Sequence, residues 1–256
     1  MPVKGQIRKN DFVHFSVIVP AYNEEALLGG MLDHLNRCIN GISNFKGEII
    51  VVDNNSNDKT SDIAKSKGAM VVFEPVNQIS KARNAGACKA SGNYLFFIDA
   101  DTFISQSLLA NVLEKLKLRS CAGGGSTLVF DDHQNQYFFG SLVPKLWTCI
   151  SKNFRIAAGS FVFCRKEYFE KIGGFSEKLF AGEEILFSIN YKRLCRANGE
   201  IFEIIDRFPV VTSSRKLSWF SPLQILTSMI IPLLFPWALK SKLLCWFWYK
   251  RPPKKK

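Results

Sequence analysis

Four short apolar runs punctuate the first hundred residues, and a helical pattern follows each one. The runs are Phe15–Pro20, Glu48–Asp53, Ala69–Phe73 and Tyr94–Ile98. After the first, Asn23-Glu24-Glu25 opens a helix with Leu27, Leu28, Met31, Leu32, Leu35, Cys38 and Ile39 at helical spacing. A short helix through Ala64, a small-residue helix over 79–90 and a helix carrying Leu108, Leu109, Val112, Leu113 and Leu116 follow the other three. Strands that are apolar throughout, alternating with helices, imply a mostly parallel α/β sheet covered on both faces. In such sheets ligands bind beyond the carboxyl ends of the strands.

Three of those ends are polar: Tyr22-Asn23-Glu24, Asp53-Asn54-Asn55 and Asp99-Ala100-Asp101. The last is the most informative, because an apolar strand delivers two carboxylates one residue apart. Carboxylates beside a core are costly unless a cation meets them. An Asp-x-Asp at a strand end can hold a divalent metal, and the metal can neutralise a diphosphate. The plain alternative is an Asp-capped turn, and three acidic clusters on one rim weigh against it.

Composition narrows the setting. The chain has 256 residues, 22 of them Phe, and a net charge of +12. Nine Lys/Arg and no Asp/Glu lie from Arg215 to the end. The seven cysteines form no Cys-x-x-Cys and read as reduced, packed thiols. No apolar leader is visible at the N-terminus. No Gly-x-Gly-x-x-Gly follows the first strand, which argues against a dinucleotide dehydrogenase.

Beyond residue 120 the pattern loosens. Ser126–Phe130 and Ala157–Phe163 read as strands, 131–156 as aromatic and irregular, Lys166–Ile172 as a short helix, and Glu183–Ala197 as a helix. Phe138, Phe139, Trp147 and Phe154 are candidates for an apolar acceptor groove, or simply for core.

Val17-Ile-Val-Pro-Ala-Tyr-Asn-Glu-Glu25, Ile50-Val-Val-Asp53 with Asn55-Ser56 and Asp58-Lys-Thr60, Ala82-Arg-Asn-Ala-Gly86, Phe97-Ile-Asp-Ala-Asp101, and Gly173-Gly-Phe175 with Gly182-Glu-Glu184 occur in that order. Together they resemble family 2 glycosyltransferases of the GT-A fold, over roughly 14–214. The resemblance implies inverting transfer of a sugar from a nucleotide diphosphate-sugar, UDP- or GDP-linked, to an acceptor hydroxyl. It implies nucleotide-sugar contacts from Pro20, Tyr22, Glu24, Asp53, Arg83 and Asp99. Asp101 would be a ligand to Mg²⁺ or Mn²⁺, and Glu184 the catalytic base, with Glu183 as the alternative. The family's late His is missing; Ser213, Ser214 or Arg215 could bind phosphate in its place.

The expected division is a catalytic domain over 1–216 and a membrane-associating tail over 217–256. Leu217 to Leu239 carries no charge, Lys240 and Lys242 follow, and Trp246–Tyr249 precedes a basic end. Trp, Tyr and Lys together suit the headgroup region. Such a tail points to an anionic membrane surface rather than to nucleic acid. The expectation is therefore an enzyme at the cytoplasmic membrane face with a lipid-linked or saccharide acceptor. A nucleotidyltransferase and a catalytically degenerate nucleotide-sugar-binding protein are the alternatives.

Overall fold

The structure is a computed structural model that describes residues 13–131 and 138–251; the side chains of 138–144, 229 and 233 are outside that description. Its centre is one eight-stranded sheet. The strands are β1 (Phe15–Ala21), β2 (Gly47–Asp53), β3 (Met70–Phe73), β4 (Tyr94–Ile98), β5 (Thr102–Phe103), β6 (Gly123–Phe130), β7 (Phe161–Arg165) and β8 (Phe202–Thr212), in the order β3-β2-β1-β4-β7-β6-β8-β5. The first four run parallel, β7 is antiparallel to both β4 and β6, and β8 runs parallel to β6.

Helices cover both faces. One face receives α1 (Leu28–Asn40) and α4 (Gln106–Lys117), with α2 (Thr60–Ser66) alongside; the other receives α3 (Ile79–Lys89), α6 (Lys166–Lys171) and α7 (Glu183–Ala197). The strand pleat decides which residue meets which layer. Val17 and Val19 of β1 join Leu28, Leu32 and Leu108, whereas Ile18 joins Ala82, Phe187 and Tyr191. Both sets are fully buried, which is why β1 reads as a continuous apolar run rather than an alternating one. Helix α3 sits unusually close to the sheet: a Cβ on Gly86 would lie 2.4 Å from Ile18 Cγ2. That contact explains the small-residue face of Ala82-Arg-Asn-Ala-Gly86.

The expected parallel α/β sheet is present, and three local readings change. The first helix begins at Leu28, not at Asn23. Asn23 adopts a left-handed conformation (φ 53°), its N–H donates to Ser56 Oγ (3.0 Å), and the Glu24 N–H donates to Thr60 Oγ1 (2.8 Å). Those residues are tied to the loop after β2 and so cannot start a helix. The stretch read as irregular contains the helix α5 (Phe138–Phe154), and 202–212, unread as a strand, is the long strand β8.

After β8 the chain forms a single turn, α8 (Arg215–Ser218), then α9 (Pro222–Leu234) and the short α10 (Trp246–Tyr249). Helix α9 begins with a capping box, in which Ser221 and Gln224 bond each other's backbone. Among the described residues no helix is long and apolar enough to cross a membrane. The tail folds back on the sheet's carboxyl rim: Phe180 N–H donates to the Leu239 carbonyl (2.7 Å), and the Tyr249 ring meets Phe180 edge-on at 5.9 Å.

Candidate active site

Strand order places the site. From β1 the chain moves to β2 and β3 on one side, then returns to β4 on the other. The crevice lies where the order reverses, between the carboxyl ends of β1 and β4. Tyr22 and Glu24 leave one strand there; Asp99 and Asp101 leave the other. The pairing of Thr102 with Thr212 and a Ser213 N–H to Asp101 carbonyl bond (3.1 Å) fasten 212–216 against the acidic pair.

Arg83 of α3 is the hub. It is 2% exposed, and its Nη1 donates to Glu183 Oε1 at 2.6 Å. Its Nη2 donates to Asp99 Oδ1 (3.1 Å) and to the Gly159 carbonyl (2.8 Å). The guanidinium lies 5.2 Å from the centre of the Phe175 ring. Phe175 in turn packs on Phe97 and Phe187, and its backbone exchanges two hydrogen bonds with the Asn84 side chain (2.9 Å each). The Gly173-Gly-Phe175 motif is thus the seat of the Ala82-Arg-Asn motif. Burial opposes charge on Arg83, but Asp99, Glu183 and Glu184 outweigh it and hold its pKa above the usual arginine value.

The two glutamates at the start of α7 differ. Gly182, just before the helix, has φ 73°, a conformation glycine adopts at little cost. That turn sends Glu183 inward, 3% exposed and paired to Arg83. Both border the larger cavity, but Glu184 is not paired to Arg83 there. Desolvation, reinforced by the Glu183 carboxylate, pushes Glu184 up to about 8 against the pull of Arg83. Burial also raises Asp99 and lowers Lys216.

Two cavities meet at Asp99, Asp101 and Lys216. The smaller, about 70 Å³, is bounded by Pro20, Tyr22, Glu24 and Asn54 on the sheet side and by Trp248, Tyr249 and Arg251 from the tail. The larger, about 370 Å³, has Arg83, Ser160 and Glu184 at a polar end and Leu128, Phe130, Trp147, Leu217, Ile225 and Phe247 among its apolar walls. Among the described residues, Ser160 Oγ and Trp147 Nε1 are buried there without hydrogen-bond partners.

The site residues expected from sequence therefore gather, with two adjustments. Asp53 faces its own turn, accepting the Ser56 N–H at 2.9 Å, and Asn54 takes the place on the cavity wall. Arg83 borders the larger cavity, but both its terminal nitrogens are engaged by protein acceptors, so it positions Asp99 and Glu183. Of the aromatic acceptor candidates, Trp147 lines the cavity and Phe154 is exposed; the side chains of Phe138 and Phe139 lie outside the described residues.

Sequence reasoning does not foresee that the tail reaches Glu24. Glu24, nearly buried, is held by two arginines from the far end of the chain: Arg251 Nη2 donates to Oε1 at 2.6 Å and Arg215 pairs with Oε2. Arg251 also donates to the Tyr22 carbonyl (3.1 Å), and both guanidiniums lie over the Trp219 ring. The clustering of basic and aromatic residues in the tail is the signal, and the sequence reading assigns it to a membrane surface ahead of a hairpin packed on the catalytic domain.

The chemistry of Asp99 and Asp101 fits a hard divalent cation. Among the described residues no cluster of three or more His, Cys, Asp or Glu forms a ready-made metal cage. Two carboxylates on one cavity wall suit a metal that takes the rest of its oxygens from phosphate and water.

The glycosyl transferase family 2 model matches residues 16–173, more than half of the chain. The chain belongs to that family. A glycosyltransferase from Haemophilus influenzae is 38% identical over 105 residues; the match covers 38% of this chain and 40% of that relative. The chain thus spans less than half of that protein's length. Glucosyl-3-phosphoglycerate synthase from Mycobacterium tuberculosis, solved with Mg²⁺ and UDP, superposes with a TM-score of 0.60 at 19% identity, covering 91% of this chain and 79% of that one. The mannosyltransferase PcManGT from Pyrobaculum calidifontis, solved with GDP-Man and Mn²⁺, gives a TM-score of 0.57 at 20% identity, covering 78% of this chain and 56% of that one. These likenesses establish the GT-A fold. In this family 2 chain, Glu24, Arg83, Asp99 and Asp101 lie inside the matched segment, and Glu184, Arg215, Lys216 and Arg251 lie beyond it.

Proposed function

We propose that this family 2 chain transfers a sugar from a nucleotide diphosphate-sugar to an acceptor hydroxyl, with inversion at the anomeric carbon. One observation carries the reading: Glu184 borders the same cavity as Asp99 and Asp101, while its neighbour Glu183 is taken by Arg83. That leaves Glu184 to accept a proton, and Asp101 with the second oxygen of Asp99 to hold a cation that serves the diphosphate. The ligands of the two structural neighbours, UDP and GDP-Man, support a nucleotide-sugar donor.

In this reading the nucleotide occupies the crevice by Tyr22, Glu24 and Asn54. The sugar projects into the larger cavity. The acceptor oxygen attacks the anomeric carbon as Glu184 takes its proton, and the bond to the diphosphate breaks with its electron pair leaving on phosphate. A single displacement inverts the centre, and no carboxylate nucleophile is required. Asp101, aided by Asp99, would hold Mg²⁺ or Mn²⁺, whose contribution is to neutralise charge on the diphosphate. Ser160 Oγ and Trp147 Nε1 offer unpaired polar atoms to sugar or acceptor hydroxyls.

The apolar walls favour a lipid-linked acceptor. Ile225 and Ser228 of α9 line the cavity, whereas Leu223, Leu226, Ile230 and Leu234 stand exposed on the same helix near exposed Trp237 and Leu243. In our reading this helix lies on the cytoplasmic face of a membrane and admits the acceptor from it. Glu184→Gln tests the core of the proposal. Release of nucleoside diphosphate in the presence of acceptor should fall by roughly 10²–10⁴-fold while donor binding persists. Undiminished turnover would remove Glu184 as the base.

A further inference from the structure

A cation from the chain can share with the metal the charge of the leaving diphosphate. Arg83 does not provide it, because both its terminal nitrogens are engaged by Glu183, Asp99 and Gly159. Arg215 is shared between Glu24 and Asp101, and Arg251 is tied through Nη2 to Glu24 and to the Tyr22 carbonyl. Lys216 is different. It borders both cavities, together with Asp99 and Asp101, at their junction. It is partly buried, and among the described residues its ammonium has no hydrogen bond or ion pair. Asp101 and Asp99 attract this ammonium without hydrogen-bonding it, so its three donors remain open to an anion that enters between the cavities.

Its position is also fixed. The backbone on its N-terminal side is tied to the acidic pair through Thr102–Thr212 pairing and the Ser213–Asp101 bond. Ser214 anchors it further, its N–H and Oγ both donating to Asp131 Oδ1 at 2.9 and 2.6 Å. A residue so placed needs little ordering when a ligand binds.

We infer that Lys216 is a catalytic residue that pairs with the β-phosphate of the donor and meets the charge that appears there as the sugar leaves. This rests on the donor reading above. The step balances without a proton from lysine. The acceptor oxygen bonds to the anomeric carbon, its proton passes to Glu184, and the bond from that carbon to the β-phosphate oxygen breaks with its electron pair staying on that oxygen. Lys216 remains an ammonium throughout and gains an ion pair, an interaction that strengthens toward the transition state.

The test is calorimetric titration of the full chain and of Lys216→Ala and Lys216→Arg with UDP, GDP, uridine and guanosine, in Mg²⁺. For the nucleoside diphosphate that the wild type binds, Lys216→Ala should weaken affinity by roughly 10–100-fold, the range for a hydrogen bond to a charged group. Binding of the matching nucleoside should not change, and Lys216→Arg should recover most of the loss. With donor and acceptor supplied, kcat should fall in Lys216→Ala while the acceptor KM holds. Unchanged diphosphate affinity in folded Lys216→Ala overturns the inference. Equal losses for diphosphate and nucleoside overturn it too, since they mark a merely structural role. A wild type that binds neither UDP nor GDP removes the donor reading, and this inference falls with it.

Discussion

Among the described residues, the Arg83 guanidinium pairs with Glu183 at 2.6 Å but forms no ion pair with Glu184, although the two glutamates are adjacent. Arg83 is 2% exposed and the Glu183 side chain 4%, so the pair is sealed from solvent on both sides. Removing one partner from such a pair leaves a buried charge uncompensated. Arg83→Ala should therefore cost about 3–5 kcal/mol, read as a lowered urea midpoint. Glu184→Gln, which breaks no ion pair, should leave the midpoint close to wild type. A small effect of Arg83→Ala would mean that Glu183 finds another partner.

Glu184 sets a pH dependence. Its carboxyl is pushed to about 8, chiefly by desolvation, from an ordinary 4.5. A base must be ionised to act, so turnover should climb as pH rises through about 8 and then level. Glu184→Gln should lack that limb. The folded chain holds this proton more tightly than the unfolded one does, so the same group lowers stability as pH climbs from 4.5 towards about 8. A wild-type rate that stays flat over this interval would assign the base elsewhere.

The tail narrows the crevice proposed for the nucleotide. With Trp248, Tyr249 and Arg251 in place the space beside Glu24 is about 70 Å³, well below the ~300 Å³ at the lower end of ligand pockets. Donor entry then requires the tail to lift, and the closed fraction weakens apparent affinity. Arg251→Ala should tighten UDP or GDP binding, by roughly threefold or more if the closed form predominates. Weaker binding in that variant would mean that Arg251 is itself a donor ligand.

The exposed face of α9 makes a fourth case. Leu226→Glu with Ile230→Glu places charge on that face without touching Ile225 or Ser228, which line the cavity. Sedimentation with vesicles rich in anionic lipid should fall sharply in the double variant. Unchanged sedimentation would remove this helix from membrane contact.

Much of the catalytic half was legible because its signals are local. Each strand of the first half is a short apolar run, and Tyr22, Glu24, Asn54, Asp99 and Asp101 sit one to three residues past a strand end. The rest depends on contacts distant in sequence. Arg251 and Glu24 are 227 positions apart, and nothing near either residue announces the pair. Strand β8 was missed because Asp206, Arg207 and Pro209 interrupt its apolar pattern, and its pairing with β6 shifts register between Ser126 and Leu128. Helix α5 reads as irregular because aromatic residues and Pro144 mask its period. Glu183 and Glu184 were indistinguishable in sequence; the left-handed turn at Gly182 and the reach of Arg83 separate them.

The central claim is a metal-assisted nucleotide-sugar site built on Asp99 and Asp101. Thermal melting of the wild type and of Asp101→Ala against UDP-, GDP-, CMP- and dTDP-sugars, with and without Mn²⁺ or Mg²⁺, tests it most directly, because a ligand of the folded state raises the melting temperature by mass action. The expected result is a metal-dependent rise with one nucleotide class in the wild type and none in Asp101→Ala. A folded wild type that no nucleotide sugar stabilises, with either metal, would contradict the claim.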